Sequence, residues 1–168
     1  MEMLSQKVGQ SGGDIFKYAG DAMLILWTPP QDGEDKETYL KKSVVTALQT
    51  AVEIQEGLQD IEMADDEHLG VKIGFGVGEV KVIYVGGVLQ RAEYLPVGEP
   101  LTQAFRCEHS CPGGGYIAVP EAVKGMVEGL FEFEKIPPLE SDESQGLESL
   151  YFVKAQLGEK VVAVAGAN

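Results

Sequence analysis

Hydrophobic and polar residues recur with two different periods along this chain of 168 residues. Over residues 39–58, apolar side chains return every three or four positions with charged side chains between them, which is the period of an amphipathic helix. Shorter apolar runs before and after this segment are bounded by glycine, proline or acidic residues, as β-strands are. The pattern therefore predicts one long helix among several short strands.

The first two strands are predicted between Gly12 and Trp27, in the sequence GGDIFKYAGDAMLILW. Residues 15–18 and 23–27 are apolar runs separated by Ala-Gly-Asp-Ala, which is typical of a tight β-hairpin. Both strands are expected to be largely buried. The short polar segment 1–11 shows no clear period, and we expect it to be the remnant of an upstream helix or linker.

A second hairpin is predicted after the long helix, with strands at 71–77 and 80–85 joined by a turn at Gly78 and Glu79. The later elements are a strand at 94–97, a helix at 101–109, a strand at 116–119, a helix at 120–127, and strands at 131–136 and 150–154. Loops are predicted at 28–36, 60–68, 86–91, 110–115 and 137–146, and residues 155–168 are expected to be a C-terminal tail. Strand pairs that alternate with helices predict an α+β sandwich, with helices packed on a mixed or antiparallel sheet.

Charge narrows the range of partners. The sequence holds 13 basic and 27 acidic residues, a net charge of -14, and its basic residues do not cluster. Such a chain repels nucleic acid, so we expect no nucleic-acid partner, whereas a metal ion can locally offset the repulsion toward a small polyphosphate. No apolar run approaches the roughly 20 residues that span a bilayer, and no secretion signal begins the sequence. A soluble cytoplasmic protein without a transmembrane segment is expected.

The two cysteines raise the question of a metal site. Cys107 and Cys111 flank His109 on the predicted helix at 101–109 and just after it. Three ligands at steps of two residues cannot all face one side of a helix, and a zinc site would also need a fourth ligand. We therefore expect two reduced thiols rather than a zinc site.

Two charged residues of the first hairpin point to chemistry. Asp21 follows Gly20 at the predicted turn, where a carboxylate either serves as ordinary turn chemistry or binds a hard cation such as magnesium. Lys17 stands among apolar neighbours, so its ammonium group either reaches solvent from a sheet edge or meets an anion or an acidic side chain. Asp14, at the start of the strand, is expected to cap the preceding Gly-Gly turn. The residues alone leave both alternatives open for Asp21 and for Lys17.

Three ordered segments resemble one family. The hairpin sequence GGDIFKYAGDAMLILW resembles the corresponding hairpin of class III nucleotidyl cyclases, most closely that of the first catalytic domain of soluble, bicarbonate-responsive adenylyl cyclases. The segments VKIGFGVGEV (71–80) and LPVGEPLTQAFR (95–106) are similar to the family's next hairpin and to its strand, glycine and catalytic helix. The resemblance implies a ferredoxin-like class III cyclase sandwich, with a cyclase homology domain over residues 12–154.

The resemblance also implies a reaction and the residues that serve it. Class III adenylyl cyclases convert ATP to cyclic AMP and pyrophosphate with two divalent ions, magnesium or manganese or a magnesium and calcium pair, held between two aspartates. Asp21 matches the second of these aspartates. Lys72 matches a lysine that reaches the triphosphate, although its place on a strand also suits an outward-facing solubilising role. Lys17 matches a lysine that lines a small-anion pocket in the bicarbonate-responsive members, which makes bicarbonate a candidate ligand.

The predicted helix at 101–109 matches the family's catalytic helix with one change. Counting from Gly98, Thr102 takes the position of an asparagine that orients the ribose, and Arg106 takes that of an arginine that stabilises charge on the transferring phosphate. The alternative role for Arg106 is a surface ion pair with Glu99 or Glu108.

Three further departures from the family concern the base, the anion pocket and the metal. Leu95 stands where cyclases that read the purine place aspartate or threonine, and a leucine cannot hydrogen-bond adenine. Phe105 stands where the bicarbonate-responsive domains place the arginine of the anion pocket. The family's first metal aspartate lies on an opening strand that nothing before Gly12 supplies, so we expect a truncated domain that lacks its N-terminal strand.

These observations lead to one hypothesis and one alternative. The hypothesis is an adenylyl cyclase domain that contributes the metal site to a two-domain active site and requires a second cyclase homology domain as partner. The alternative is a catalytically inactive regulatory or dimerisation module that binds a nucleotide or an anion. The absent aspartate, Thr102 and Leu95 motivate the alternative.

Overall fold

The computed structural model describes residues 2–28, 35–59, 69–87, 92–138 and 147–157, which form two compact units. The first unit holds the chain up to residue 70, residues 126–131 and the chain from residue 156, and the second holds residues 71–125 and 132–155. The elements in chain order are α1 (Glu2–Gln10), β1 (Asp14–Ala19), β2 (Ala22–Leu26), α2 (Lys36–Gln59), β3 (Ile73–Gly74), β4 (Lys81–Gly86), β5 (Ala92–Val97), α3 (Glu99–Ser110), β6 (Ile117–Pro120), α4 (Glu121–Met126), β7 (Phe131–Lys135) and β8 (Leu150–Gln156).

Two helices pack together in the first unit. The long helix predicted at 39–58 is confirmed as α2, which begins three residues earlier because the Asp35 carboxylate accepts a hydrogen bond from the Thr38 backbone N–H at 3.2 Å and so caps the first turn. The segment 1–11 showed no period, yet residues 2–10 form α1, whose Leu4 and Val8 lie four positions apart and are buried. Two buried apolar residues are enough to stabilise a helix of this length when it packs against a longer helix.

The first predicted hairpin is confirmed. Strands β1 and β2 pair antiparallel from Asp14 opposite Leu26 to Ala19 opposite Ala22, with Gly20 in the left-handed region at φ 65°. The expectation that both strands are largely buried is wrong, because no residue of either strand is fully buried and most are half-buried. Neither strand therefore lies inside the core of the unit.

The second unit is built on a four-stranded mixed sheet. The strand order is β3-β6-β8-β7, with β3 parallel to β6 and β6 antiparallel to β8. Helix α3 packs on β3 and β6, and the core beneath it contains Cys107, Cys111, Ala118 and Leu150. The predicted α+β arrangement, with a helix packed on a mixed sheet, is confirmed within this unit.

The second predicted hairpin is wrong in its pairing. Residues 71–77 and 80–85 do not pair with each other; β3 pairs instead with β6, and β4 pairs antiparallel with β5. The cause lies in two glycines, because a Cβ atom on Gly74 would lie 2.1 Å from the carbonyl oxygen of Ala104, and one on Gly76 would lie 1.8 Å from that of Pro100. The backbone of α3 thus packs directly against the backbone of residues 74–76, and this contact holds the segment beside β6.

The hairpin formed by β4 and β5 is exposed. All six residues of β4 are exposed, and the rings of Tyr84 and Tyr94, opposite each other across the pair, have centroids 4.5 Å apart. The other predicted elements of this unit are confirmed, and each of their ends agrees with the prediction to within two residues. They are β5, α3, β6, α4, β7 and β8.

Several predicted segments extend outside the described residues. These are most of the loop at 28–36, the acidic segment 60–68, most of the loop at 86–91, most of the loop at 137–146, and the end of the tail from residue 158. The proposed domain boundaries at residues 12 and 154 stay predictions.

Candidate functional site

The predicted site residues fall into both units. Lys17 and Asp21 lie on the β1–β2 hairpin of the first unit, whereas Lys72, Thr102 and Arg106 lie in the second. Each group is held by well-defined local structure of its own unit.

Asp21 occupies the turn between β1 and β2. Its neighbours Ala19 and Ala22 pair across the hairpin, so Gly20 and Asp21 alone make the connection, and the Asp21 side chain is exposed. The positive φ of Gly20 is a conformation that residues with a Cβ rarely adopt, which explains the glycine at this place. A two-residue turn on paired strands holds the carboxylate in a defined position while leaving its oxygens open to a ligand.

Lys17 sits beside an irregularity in the same hairpin. The register shifts between Ile15 and Lys17, so that Phe16 is an extra residue on β1 and Lys17 pairs with Leu24. A bulge of this kind changes the direction of the side chains that follow it. The Lys17 side chain is half-buried, which excludes a fully solvated position and suits a lysine whose stem packs while its head is placed by the bulge.

Lys72 lies immediately before β3 and is exposed. Its positive charge acts on the Cys111 thiol, where it lowers the pKa against the effect of burial; burial dominates, and the pKa of Cys111 is raised to about 11. Lys72 therefore lies near Cys111, at the C-terminal end of α3.

The start of α3 depends on Gly98. This residue has φ 150°, and a Cβ atom on it would lie 2.5 Å from the Glu79 carbonyl oxygen, so only glycine fits where the chain enters the helix. Pro100 follows within the first turn, where its missing N–H costs nothing. Two residues later in the same helix, Thr102 is exposed.

Arg106 lies one helical turn after Thr102 and is half-buried. Its Nη2 donates a hydrogen bond to the backbone carbonyl of Glu148 at 3.5 Å, a contact that the sequence does not predict. Its charge lowers the pKa of the Cys107 thiol, but burial outweighs this effect and raises that pKa to about 12. Thr102 and Arg106 are thus brought onto one helix at a spacing of one turn, as expected from the sequence.

Gln103 is a further residue of this helix that the sequence reasoning missed. Its Oε1 accepts a hydrogen bond from the backbone N–H of Val77 at 3.1 Å, which ties α3 to the chain after β3. The only signal in the sequence is a polar residue on the side of the helix that the apolar residues predict to be buried.

Metal ligands are sparse in the residues with a described structure. Over those ranges, no three His, Cys, Asp or Glu side chains come together in a way that could hold a metal ion. Cys107 and Cys111 are free thiols in the core of the second unit, and the Cys111 thiol contacts the Cys107 carbonyl oxygen at 3.4 Å. Asp21 therefore offers one hard oxygen ligand rather than a complete site.

None of the helices that the structure describes combines the length and the apolar composition needed to cross a bilayer.

Sequence comparison places the chain near one group of enzymes. A stretch of 132 residues, 79% of this chain, is 26% identical to adenylate cyclase type 10 of Rattus norvegicus, and the same values hold for the protein of that name from Homo sapiens. The matched stretch spans 8% of the length of those relatives. No protein-family model matches the chain.

Solved structures agree on the fold. The guanylate cyclase domain of RhGC from Catenaria anguillulae, in complex with GTP, superposes with a TM-score of 0.70 and 22% identity, covering 93% of this chain and 80% of that one. The adenylyl cyclase CyaB from P. aeruginosa superposes with a TM-score of 0.71 and 17% identity, covering 95% and 80%. The chain is homologous in sequence to adenylate cyclase type 10 and has the fold of class III cyclase catalytic domains, which confirms the predicted resemblance and fold class.

Proposed function

We propose that this chain, which has the fold of class III cyclase catalytic domains, contributes the metal-binding half of an adenylyl cyclase active site. The observation that carries the proposal is the exposed Asp21 carboxylate at the tip of the β1–β2 hairpin. Paired strands hold this group with little freedom, and an oxygen ligand so placed is what Mg²⁺ or Mn²⁺ prefers. The sequence relatives, named adenylate cyclase type 10, favour ATP over GTP as the substrate.

The proposed reaction is the closure of ATP to cyclic AMP and pyrophosphate. The ribose 3′-oxygen attacks the α-phosphorus and loses its proton to solvent, the bond from the α-phosphorus to the bridging oxygen breaks, and pyrophosphate leaves. In this scheme the Lys72 ammonium pairs with the β- and γ-phosphates, and the Arg106 guanidinium balances charge on the transferring phosphate. The Thr102 hydroxyl hydrogen-bonds the ribose in place of the family's asparagine.

The metal requirement is met only in part by the described residues. Asp21 is a suitable ligand for Mg²⁺, Mn²⁺ or Ca²⁺, but the ranges that the structure covers contain no cluster of three such ligands. When bound, a divalent ion supplies positive charge to the triphosphate and to the reacting oxygens. We propose that the phosphates of ATP and a second aspartate, outside the described residues, complete its coordination.

A second cyclase homology domain is the proposed partner. Leu95 is half-buried on β5 opposite Ile83 and offers no hydrogen bond to a purine, so we assign recognition of adenine to that partner. Lys17, half-buried beside the bulge of β1, is the proposed ligand of a small anion such as bicarbonate. We place the reaction in the cytosol, where reduced thiols such as those of Cys107 and Cys111 are stable.

The test is cyclic AMP formation by the protein that contains this chain together with its second domain, with Mn²⁺ or Mg²⁺ present. Asp21→Asn is expected to lower the rate at least about 100-fold, because a neutral amide is a poor metal ligand. Asp14→Asn is the matched control, since Asp14 is exposed at the start of β1, at the end of the hairpin away from the turn. Equal activity of the two variants would overturn the assignment of Asp21.

A second candidate function is supported by the exposed Thr102 and by Leu95 at the purine position. In that case the chain is a catalytically inactive module that binds a nucleotide or an anion and regulates an attached domain. Calorimetry with a non-hydrolysable ATP analogue separates the two functions. Binding that requires Mn²⁺ and is lost in Asp21→Asn supports the cyclase, whereas metal-independent binding, or none, supports the module.

A further inference from the structure

A cleft of ≈ 450 Å³ opens in the second unit, at the C-terminal end of α3. Its volume lies in the range of sites that bind small molecules. Part of its wall is apolar, formed by Ile136, Pro137, Pro138, Leu147 and Leu150. This wall can cover the hydrocarbon body of a ligand, but it does not by itself determine which ligand is bound.

The polar groups of the cleft favour a negative charge. Lys135 and His109 line it, together with Ser110 and Ser149, whose hydroxyls already hydrogen-bond the Arg106 carbonyl and Tyr151. None of the ion pairs between described residues involves Lys135, although the chain as a whole carries a net charge of -14. A hydrogen bond from Tyr151 lowers the pKa of the Glu121 carboxyl and the charge of Lys135 lowers it further, but no described ion pair holds the Lys135 ammonium group. A lysine that lines a partly apolar cleft is suited to a charge-assisted hydrogen bond with an anion.

Two features of the cleft oppose an anion, and one of them is weakened by the fold. The C-terminal end of α3 carries partial negative charge on its last carbonyl groups. The carbonyl oxygens of Arg106 and Glu108 already accept hydrogen bonds, from the Ser110 hydroxyl at 2.7 Å and from the Cys111 backbone N–H at 3.0 Å. These bonds reduce the negative field toward the cleft, so that among the described lining residues the Glu148 carboxylate is the main unfavourable group.

We propose that this cleft binds a small organic anion, with an apolar body against the proline and leucine wall and a carboxylate or phosphate group at Lys135. The cleft is lined by none of the second unit's residues assigned to ATP, but it adjoins Arg106. Arg106 donates a hydrogen bond to the backbone carbonyl of Glu148, and the Glu148 side chain lines the cleft. The proposal does not depend on cyclase activity.

The test is a titration of the isotope-labelled chain with 2-naphthoate, followed by the amide resonances of Ser110, Leu147 and Ser149. Saturable shifts of these resonances are expected. The uncharged analogue 2-naphthamide is expected to bind about tenfold more weakly, a difference of about 1.4 kcal/mol, because it cannot form the charge-assisted bond. Shifts confined to the exposed β4–β5 hairpin, or equal affinity for the two compounds, would overturn the proposal.

Variants that change the charge of the cleft should change the affinity for naphthoate in opposite directions. Lys135→Gln is expected to weaken naphthoate binding about tenfold, and Glu148→Gln, which keeps the backbone carbonyl, to strengthen it a few-fold. Lys154→Gln is the matched control, because Lys154 is a lysine of the neighbouring strand that pairs with Glu134 and does not line the cleft. Unchanged affinity in the Lys135 variant, or the same loss in the Lys154 variant, would contradict a site at Lys135.

Discussion

The backbone N–H of Val77 donates a hydrogen bond to Oε1 of Gln103 at 3.1 Å, which joins the chain after β3 to the middle of α3. Gln103 stands directly after Thr102 and three residues before Arg106. The hydrogen bond therefore fixes the position of α3 along the sheet near Thr102 and Arg106. Positioning of the proposed catalytic helix depends on a side chain that the family resemblance did not single out.

Replacing Gln103 tests this tie. Gln103→Ala is expected to lower the free energy of unfolding by about 1 kcal/mol, because the half-buried N–H of Val77 loses its acceptor. Gln103→Glu keeps an acceptor at the same place and is expected to retain most of the stability. Thr102→Ala, at the exposed neighbouring position, is the control and should change stability by less than about 0.5 kcal/mol. Urea denaturation measures all three, and an Ala variant as stable as the parent would contradict the role of the bond.

A stronger effect is expected at Gly76. A Cβ atom there would lie 1.8 Å from the backbone oxygen of Pro100, and a backbone atom cannot move aside as a flexible side chain can. Gly76→Ala is therefore expected to cost about 3 kcal/mol or more, because α3 must shift from the sheet. Gly113→Ala is the control, since a Cβ atom on Gly113 meets nothing within 4 Å. Thermal denaturation of the two variants should differ clearly; similar melting temperatures would show that α3 does not pack this closely.

Local patterns predicted the elements, while distant contacts decided how they pair. The period over residues 39–58 and the Gly20 turn each depend on neighbours in sequence, so α2 and the first hairpin were predicted correctly. The pairing of β3 with β6 depends on Gly74 fitting against α3, and no local pattern reports such a contact. For the site, the turn position of Asp21 follows from sequence, whereas the hydrogen bond from Arg106 to the Glu148 carbonyl involves a backbone group, which carries no signature in the sequence.

The buried thiol of Cys107 predicts a dependence of stability on pH. Burial raises its pKa to about 12, whereas an unfolded thiol ionises near 9.0. Below pH 9 both states are protonated and the contribution is fully present; above it the unfolded state loses its proton first, so stability falls as the pH rises toward 12. Between about pH 8 and about pH 10, the loss due to this thiol is about 1 kcal/mol.

The comparison that checks this is the parent chain against Cys107→Ala, unfolded by urea at both pH values. The variant is less stable throughout because a small cavity is left, but its stability should fall less steeply with pH. Lys72→Gln is the control, because the Lys72 charge affects the pKa of the Cys111 thiol and not that of the Cys107 thiol. This variant should keep the pH dependence that is due to Cys107. Identical slopes for the parent and Cys107→Ala would mean that the thiol ionises equally in both states.

Lys72 offers the sharpest test of nucleotide binding in the second unit. Its side chain is exposed just before β3, and the proposed role is contact with the β- and γ-phosphates of ATP. Lys72→Gln is expected to weaken ATP binding about tenfold, a change of about 1.4 kcal/mol, and to leave the affinity for AMP, which lacks those phosphates, unchanged. Lys81→Gln removes an exposed lysine of the same unit that pairs with Glu79, and it is the matched control. Competition against a fluorescent ATP analogue with Mn²⁺ present measures each affinity in the protein that contains both domains. The same loss of affinity for AMP, or in the Lys81 variant, would show that binding depends only on the net charge of the protein. Lys72 would then not contact the triphosphate.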